Sequence, residues 1–311
     1  MSPTALAASA WIPIVLAAAL AQTARNAAQR SLVAQAGTLG ATLARFLYGL
    51  PFAAAWVAAL HALPATAASV PPFHAGYFAW LALGAMGQLA ATAFLLAAMK
   101  QRNFVIGVAY SKTDALQVAV FATLFLHELP GWVTLLAMGL ATAGVVLLSW
   151  PRAATPLAGG ARSWAGLAAV YGLACGAGFA LSAVGYRGAA LQMPGIAPWL
   201  VGAWGVLWAQ LLQTLVLGGW LAVRERAALR ATAAAWRVSV LAGGTGALAS
   251  AGWFTAFAMT SAANVRTLGM VEVVFSYLVS RRLLSESFTR PEKLGMALML
   301  VGLVLISLQG L

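Results

Sequence analysis

Residues 128–149 read ELPGWVTLLAMGLATAGVVLLS, and no charged residue follows the opening glutamate. A transmembrane helix needs about 20 consecutive, mostly apolar residues, so this stretch is long enough to cross a bilayer. Similar stretches recur along the 311 residues, of which 62% are hydrophobic and 8% are charged, and the mean hydropathy is +0.89. Soluble domains usually carry about 25% charged residues. The sequence therefore predicts an all-α integral membrane protein.

Apolar segments of this kind follow one another with mostly short breaks between them. We predict ten transmembrane helices, at residues 8–31, 37–60, 75–98, 103–126, 131–150, 164–187, 197–221, 236–259, 263–284 and 291–310. The longest breaks, at 63–74, 152–162 and 224–235, are predicted to be loops. Proline and glycines in the middle break favour an irregular connection. The predicted organisation is a five-helix repeat at 1–152, a linker at 153–163 and a second five-helix repeat at 164–311.

The opening stretch has a counterpart near the end of the chain, where residues 286–307 read ESFTRPEKLGMALMLVGLVLIS. A shift of 158 residues aligns Asp114 with Glu272, Glu128 with Glu286, and Gly144 with Gly302. The acidic matches carry weight because the chain has only six acidic residues. Five spans per half, an odd number, would place the halves in opposite orientations. We therefore predict two inverted five-helix repeats, an architecture found in many secondary transporters.

The basic residues favour one side of this predicted topology. Most of them lie in the loops after spans three, five, seven and nine: Lys100, Arg102, Arg152, Arg162, Arg224, Arg226, Arg230, Arg237, Arg281, Arg282, Arg290 and Lys293. By the positive-inside rule these loops are cytoplasmic, which places both termini in the periplasm. The net charge of +12 then indicates topology and contact with anionic lipid headgroups, with no binding of nucleic acid. The alanine-rich composition favours a bacterial inner membrane.

Enzymatic and metal chemistry find little support in the sequence. Cys175 is the only cysteine, and the three histidines, His61, His74 and His127, lie at predicted segment ends. This set is too sparse for a metal centre, and no HExxH or GxSxG motif occurs. We expect no metal, no cofactor and no catalytic residue. An intramembrane enzyme acting on lipid-linked substrates and a membrane scaffold without transport activity remain as weaker alternatives.

Polar residues inside the predicted spans mark the candidate site. A charge at the bilayer centre costs about 3 kcal/mol on insertion scales, so such residues usually face a cavity or a partner. In QTARNAAQR (22–30), the spacing places four side chains on one helix face: Gln22, Arg25, Asn26 and Gln29. The second span adds Arg45, the fourth Tyr110, Lys112 and Asp114, and the ninth Asn264, Arg266 and Glu272.

Each of these groups has an expected role. The arginines and Lys112 would supply positive charge, and Tyr110, Asn26 and Gln29 would supply hydrogen bonds. Asp114 and Glu272 would supply negative charge, each beside a basic residue, and protons are the coupling ions that they would carry. Trp253, together with Trp204 and Trp208, lies deep in a span, where it would stack on a substrate or pack among helices.

Structural interpretations stay open for several of them. Arg30 is expected to contact lipid headgroups, and Arg25 would do the same if the first helix began earlier. Arg45 and Lys112 could be buried pairs that only stabilise the bundle. Glu128 and Glu286 are expected to be helix-boundary residues. Glycines of the sixth and eighth spans, in YGLACGAG (171–178) and GGTGALASAG (243–252), are expected to let helices approach closely.

The chain resembles the EamA-type members of the drug/metabolite transporter superfamily. The resemblance covers essentially the whole chain and is most specific in ATLARFLYGLPFAAAW (41–56), FATLFLHELPGWVTLLAMGLATAGVVLLS (121–149) and LVSRRLLSESFTRPEKLGMALMLVGLVLIS (278–307). It implies a ten-helix bundle with a central cavity and alternating-access transport of a small organic solute, often export. Three features depart from the family: spans four and nine lack the usual prolines, the predicted termini are periplasmic, and no glutamate lies in the first span.

The leading hypothesis is therefore a secondary active transporter, monomeric or homodimeric, that exports a small organic solute. Basic groups outnumber acidic ones in the spans, which favours an anion or a zwitterion such as an amino acid. The alternative within the same class is multidrug efflux of cationic compounds.

Overall fold

The computed structural model describes residues 9–67, 69–99, 111, 113–148, 161–275, 278 and 290–309. Within these ranges every regular element is a helix. The helices are α1 (Trp11–Leu47), α2 (Leu50–His61), α3 (Ala75–Met99), α4 (Asp114–Leu126), α5 (Trp132–Leu148), α6 (Ala161–Leu191), α7 (Pro198–Arg224), α8 (Arg226–Ala234), α9 (Trp236–Met259), α10 (Ala262–Gly269) and α11 (Arg290–Leu308).

Five helical segments of the described chain are long and apolar enough to cross a membrane. They are Ser31–His61, Ala75–Leu95, Ala169–Leu191, Pro198–Arg224 and Trp236–Met259. Three further apolar helices, at Asp114–Leu126, Trp132–Leu148 and Lys293–Leu308, are shorter. The prediction of an all-α membrane protein is thus confirmed, while ten spans and an inverted repeat stay predictions.

The break between the first two predicted spans falls on Gly37. Its backbone has φ 69° and ψ 174°, a non-helical conformation inside α1. Positive φ is readily adopted by glycine and is costly for residues with a Cβ atom. A Cβ atom on Gly37 would meet nothing within 4 Å, so conformation and not space explains the glycine.

The loop predicted at 224–235 is wrong, because Arg224 still belongs to α7 and, after a break at Glu225, Arg226–Ala234 form α8. Alanine, leucine and arginine are strong helix formers, and the segment was too polar to be taken for a span. Its apolar face supplies the reason that it stays helical: Ala231 and Ala235 pack against the buried Leu32 and Ala36 of α1.

The ninth predicted span, 263–284, is not one continuous helix. α10 ends at Gly269, Met270 forms a turn, and helical structure resumes at residues 271–275. Glycine has a low helix propensity, which is consistent with an end at Gly269. The break separates Arg266 from Glu272 on the chain.

The contacts of the chain divide it into two units. Unit 1 comprises Met1–Ala85 and Gly185–Thr260, and unit 2 comprises Met86–Val184 and Ser261–Leu311. The division falls within α3 and within α6, so each unit draws on both halves of the sequence. The two units are groups of residues in contact, whereas the predicted repeat divides the sequence into two halves, so the units do not test the repeat. Residues 153–160 of the predicted linker lie outside the described part of the chain.

In unit 1, α1 and α9 pack closely through small residues. A Cβ atom on Gly252 would lie 2.7 Å from the Cβ of Ala18, and one on Gly243 would lie 2.7 Å from the backbone nitrogen of Gly49. Both glycines belong to the run at 243–252, and their expected role in close helix approach is confirmed. In unit 2, Gly178 of α6 has the same role against α3, because a Cβ atom there would lie 2.9 Å from Cα of Ala91.

In unit 2, α5 and α11 meet through glycines with a reciprocal geometry. A Cβ atom on Gly144 would lie 2.7 Å from the backbone nitrogen of Met299, and one on Gly302 would lie 2.9 Å from the backbone nitrogen of Ala141. The shift of 158 residues relates position 144 to 302 and position 141 to 299. Each contact is therefore the counterpart of the other under the predicted repeat. Reciprocity of this kind characterises a self-complementary interface.

Candidate functional site

The polar face of α1 belongs to unit 1, with Arg25 buried, Gln22 and Gln29 half-buried and Asn26 exposed. Arg25 is buried, with 7% of its surface exposed, and its Nε and Nη2 atoms donate to Oδ1 of Asn26 at 3.2 and 2.7 Å. Gln29 donates from Nε2 to the carbonyl oxygen of Ala41 at 3.0 Å. This bond spans the break at Gly37 and ties the two parts of α1 together. Arg25 is therefore held inside the protein, against the expectation of headgroup contact from an early helix start.

Arg25 and Arg45 come together at one glycine of α9. A Cβ atom on Gly246 would lie 3.2 Å from Cδ of Arg25 and 3.8 Å from Cγ of Arg45. An alanine there would crowd the stem of Arg25 and make an ordinary van der Waals contact with the stem of Arg45. Arg45 is half-buried, and its guanidinium carbon lies 4.7 Å from the ring centroid of Phe46, a cation–π distance. We call these two arginines, with Gln22, Asn26, Gln29 and Trp253, the arginine cluster.

Trp253 closes this cluster from α9. Its Nε1 donates to Oε1 of Gln22 at 3.0 Å, and 8% of its surface is exposed. It lies seven residues after Gly246, two helical turns along the same face. The indole therefore stands on the side of α9 that carries the contact with both arginines.

Polar residues of α7 extend the polar interior of unit 1 and were missed in the sequence. Gln213, 1% exposed, donates from Nε2 to the carbonyl oxygen of Ala85 and to the hydroxyl of Tyr186, both at 3.3 Å. Gln210 has a buried Oε1 with no hydrogen-bond partner among the described residues. The sequence did contain a signal for this pair, since two amides that lie three residues apart in an apolar span share a helix face.

Other residues of unit 1 serve packing. Trp204 donates from Nε1 to Nε2 of His61 at 3.1 Å and stacks on Trp208 at 6.2 Å between ring centroids. Phe73 lies edge-on to both, so these two tryptophans sit among aromatic neighbours. Arg187 donates from Nη1 to the carbonyl oxygen of Phe257 at 2.8 Å, near the end of α9, where a cation stabilises unpaired carbonyls.

The predicted residues of unit 2 form a separate group. Arg266 of α10 makes an ion pair and hydrogen bond with Asp114, the first residue of α4. Glu272 also interacts electrostatically with Arg266. The sequence suggested a basic residue for each carboxylate, and in the structure one arginine interacts with both. Tyr110 and Lys112 lie outside the described residues.

Asn264 belongs to a second polar group of unit 2. The hydroxyl of Thr134 on α5 donates to Oε1 of Gln309 at 2.7 Å and lies 3.3 Å from Oδ1 of Asn264. The backbone nitrogen of Asn264 donates to Oγ of Ser261, which caps α10. Asn264 thus joins α10 to α5 and the residue after α11, which is a structural role in this arrangement.

A shallow groove of about 570 Å³ runs between α4 and α6. Its lining is mainly apolar: Thr113, Leu116, Gln117, Val120, Leu173, Ala174 and Ala177. Leu116, Val120 and Leu173 are exposed, as lipid-facing residues are expected to be. None of the predicted site residues lines this groove. Among the described residues, no group of three His, Cys, Asp or Glu side chains could hold a metal ion.

Comparisons with known proteins bear on the fold. No family model and no curated protein matches the chain. A solved crystal structure matches 97% of this chain over 98% of its own, with a TM-score of 0.66 and 19% sequence identity. A likeness at this identity shows the fold alone. The helical fold is therefore shared, over nearly its full length, with an experimentally determined structure.

Proposed function

We propose that this protein is a secondary active transporter that exports a small organic solute by alternating access, as the resemblance to EamA-type transporters implies. The observation that carries the proposal is the arginine cluster. It brings a buried guanidinium, a half-buried one, three amides and an indole together. Arg45 and Trp253 lie in segments that are apolar enough to cross a membrane, Ser31–His61 and Trp236–Met259, and the residues from Gln22 to Gln29 directly precede the first of these. Ionisable groups at membrane depth are costly and usually functional.

The chemistry of the cluster favours an anionic or zwitterionic solute. Helices α1, α2, α7 and α9 contain no aspartate or glutamate. Guanidinium groups bind carboxylates through paired, charge-assisted hydrogen bonds, and the amides of Asn26 and Gln29 can orient further polar groups. An amino acid, with one carboxylate and a side chain to set against Trp253, meets these requirements.

The proposed role of the second group is coupling. This group contains Arg266, Asp114 and Glu272, so among the described residues it has two carboxylates and one basic side chain. Uptake of a proton by one carboxylate would leave a balanced pair. Such carboxylates serve as proton relays in many transporters.

The test is transport by the full chain in proteoliposomes, offered a panel of amino acids, organic anions and lipophilic cations. We expect transport of an anion or zwitterion, with a KM that rises about tenfold to a hundredfold in Arg25→Gln, because a hydrogen bond to a charged group contributes roughly 1.5–3 kcal/mol. Arg187→Gln, which changes an arginine that holds a backbone carbonyl in the same unit, is the matched control. Unchanged KM in both Arg25→Gln and Arg45→Gln would refute the binding role.

Efflux of cationic compounds is the alternative, and the two carboxylates beside Arg266 favour it. It predicts transport of a lipophilic cation such as tetraphenylphosphonium, loss of that transport in Asp114→Asn, and insensitivity to Arg25→Gln. The same proteoliposomes distinguish the two functions.

A further inference from the structure

A basic surface lies where α7, α8 and α9 follow one another in unit 1. Its arginines are all exposed: Arg224, Arg226, Arg230 and Arg237. We call these four the α8 surface. Glu225 is the only acidic residue among them, so the surface carries a clear excess of positive charge.

The helix that presents this surface is fixed to the bundle. A Cβ atom on Gly40 of α1 would lie 2.8 Å from Oγ1 of Thr232, which leaves room for nothing larger than glycine. Oγ of the fully buried Ser239 donates to the carbonyl oxygen of Thr232 at 3.1 Å, joining α8 to α9. Arg226 and Arg230, four residues apart, share a face that lies away from these contacts.

Aromatic and apolar side chains place this surface at the level of the lipid headgroups. Trp220 is 46% exposed, Trp236 is 54% exposed and Val223 is 75% exposed. The guanidinium carbon of Arg237 lies 5.5 Å from the ring centroid of Trp236. Exposed tryptophans concentrate at membrane–water interfaces, and arginines beside them meet the phosphate groups.

We propose that the α8 surface binds the phosphate headgroup of an anionic phospholipid. Arginine forks match phosphate oxygens in a paired geometry, and a net-negative lipid is attracted where a zwitterionic one is not. Exposed Val223 and Trp236 provide apolar contacts that acyl chains fill and that a free phosphate ion cannot use. The inference does not depend on the transported solute.

The test is native mass spectrometry of the full chain in an uncharged detergent, titrated with phosphatidylglycerol and with phosphatidylcholine. We expect phosphatidylglycerol to bind more tightly, and its affinity to fall about fivefold for each arginine removed in Arg226→Gln/Arg230→Gln. The matched control is Arg290→Gln/Lys293→Gln, which removes two exposed basic residues at the start of α11 and should leave the affinity near that of the wild type.

Three results would overturn the proposal. Equal losses in the two double variants would indicate attraction by net charge alone, and equal affinities for the two lipids would remove the anionic preference. Full displacement of the lipid by inorganic phosphate at the same concentration would identify a phosphate-ion site. If the glutamine variant does not fold, Arg226→Lys/Arg230→Lys replaces it, and wild-type affinity there would contradict recognition by the arginine forks.

Discussion

The two units hold their buried charges in different ways. In unit 2, Arg266 pairs with Asp114 and also interacts with Glu272. In unit 1, Arg25 and Arg45 meet at Gly246 among amides and an indole, on helices without a carboxylate. An arginine with carboxylates in its own unit has its charge compensated without a ligand, so removing one partner is costly. Arginines gathered among neutral hydrogen-bonding groups are suited to an anion that binds and leaves.

The largest effect on stability is expected at the ion pair of unit 2. Asp114→Asn leaves Arg266 without its nearest carboxylate, and breaking a buried pair costs several kcal/mol. Because 25% of the Arg266 side chain is exposed, we expect the free energy of unfolding to fall by about 2–3 kcal/mol. Unfolding in mixed micelles with increasing sodium dodecyl sulfate measures it.

The control for this variant is Glu225→Gln, which changes an exposed acid at the junction of α7 and α8. Its expected effect is within about 0.5 kcal/mol. If the two variants unfold alike, the pair does not stabilise unit 2 and the contrast between the units disappears. The double variant Asp114→Asn/Arg266→Gln should cost less than the sum of the single changes, because neither partner is then left alone.

The second largest effect is expected in unit 1, where a substitution should weaken ligand binding and leave stability nearly unchanged. Arg25→Gln should weaken the thermal stabilisation by the transported anion, with an apparent Kd about 30-fold higher, equivalent to about 2 kcal/mol. Its unfolding without ligand should change by less than about 1 kcal/mol, because Gln retains hydrogen-bonding capacity toward Asn26. A loss of stability as large as that of Asp114→Asn would show that Arg25 is held in place for the fold and not for the anion.

Glycine-to-alanine substitutions at close helix contacts allow the packing of the two units to be compared. Alanine at Gly243 of unit 1 or at Gly144 of unit 2 would press on backbone atoms, and overpacking of this kind costs about 1–3 kcal/mol. We expect a loss of about 1.5 kcal/mol for each, and an equal loss for Gly302→Ala, since its contacts mirror those of Gly144. Thermal unfolding of the three variants measures these losses.

Gly139 supplies the control for that series, because a Cβ atom there would meet nothing within 4 Å. In the middle of α5, Gly139→Ala should stabilise by about 0.5–1 kcal/mol through helix propensity. Unequal losses at Gly144 and Gly302 would show that α5 and α11 do not use equivalent surfaces.

The smallest expected effect is at Gly37. Alanine fits the open space there but not the backbone, because φ 69° with ψ 174° is a region that essentially only glycine occupies, so Gly37→Ala should cost about 1 kcal/mol. Gly219→Ala, in an equally open position of α7, should be neutral or slightly stabilising. If Gly37→Ala costs nothing, α1 can straighten at this point. The hydrogen bond from Gln29 to Ala41, which spans the break, would then have to change as well.

The helical segments and the close-packed glycines were accessible from the sequence because both depend on local composition. Apolar runs reveal their length directly, and small residues in a span indicate near approach. The helix α8 was missed because the prediction followed apolar runs, and the arginines of this segment interrupt such a run although its composition favours a helix. Its helical state depends on Leu32 and Ala36, which lie far away in the chain.

The candidate site was predictable in its members but not in its pairings. The composition of the spans nominated Arg25, Arg45, Asp114 and Arg266 as costly groups in a membrane. Which of them meet is decided by tertiary contacts, and Asp114 and Arg266 are separated by 152 residues. Gln213 was missed because a neutral amide is less costly than a charge in a membrane, and its partners, Ala85 and Tyr186, lie far away in the chain.

The packing of α1 against α9 also bears on how the protein is made. Trp236, the first residue of α9, follows Leu47, the last of α1, by about 190 residues. Ribosomes add about 5–20 residues per second, so α1 waits roughly 10–40 s for its partner. During that time Arg25 lacks the shelter of Gly246 and its neighbours. Until α9 is made, the charge of Arg25 must therefore be accommodated by the insertion machinery or by water at the opening of that machinery.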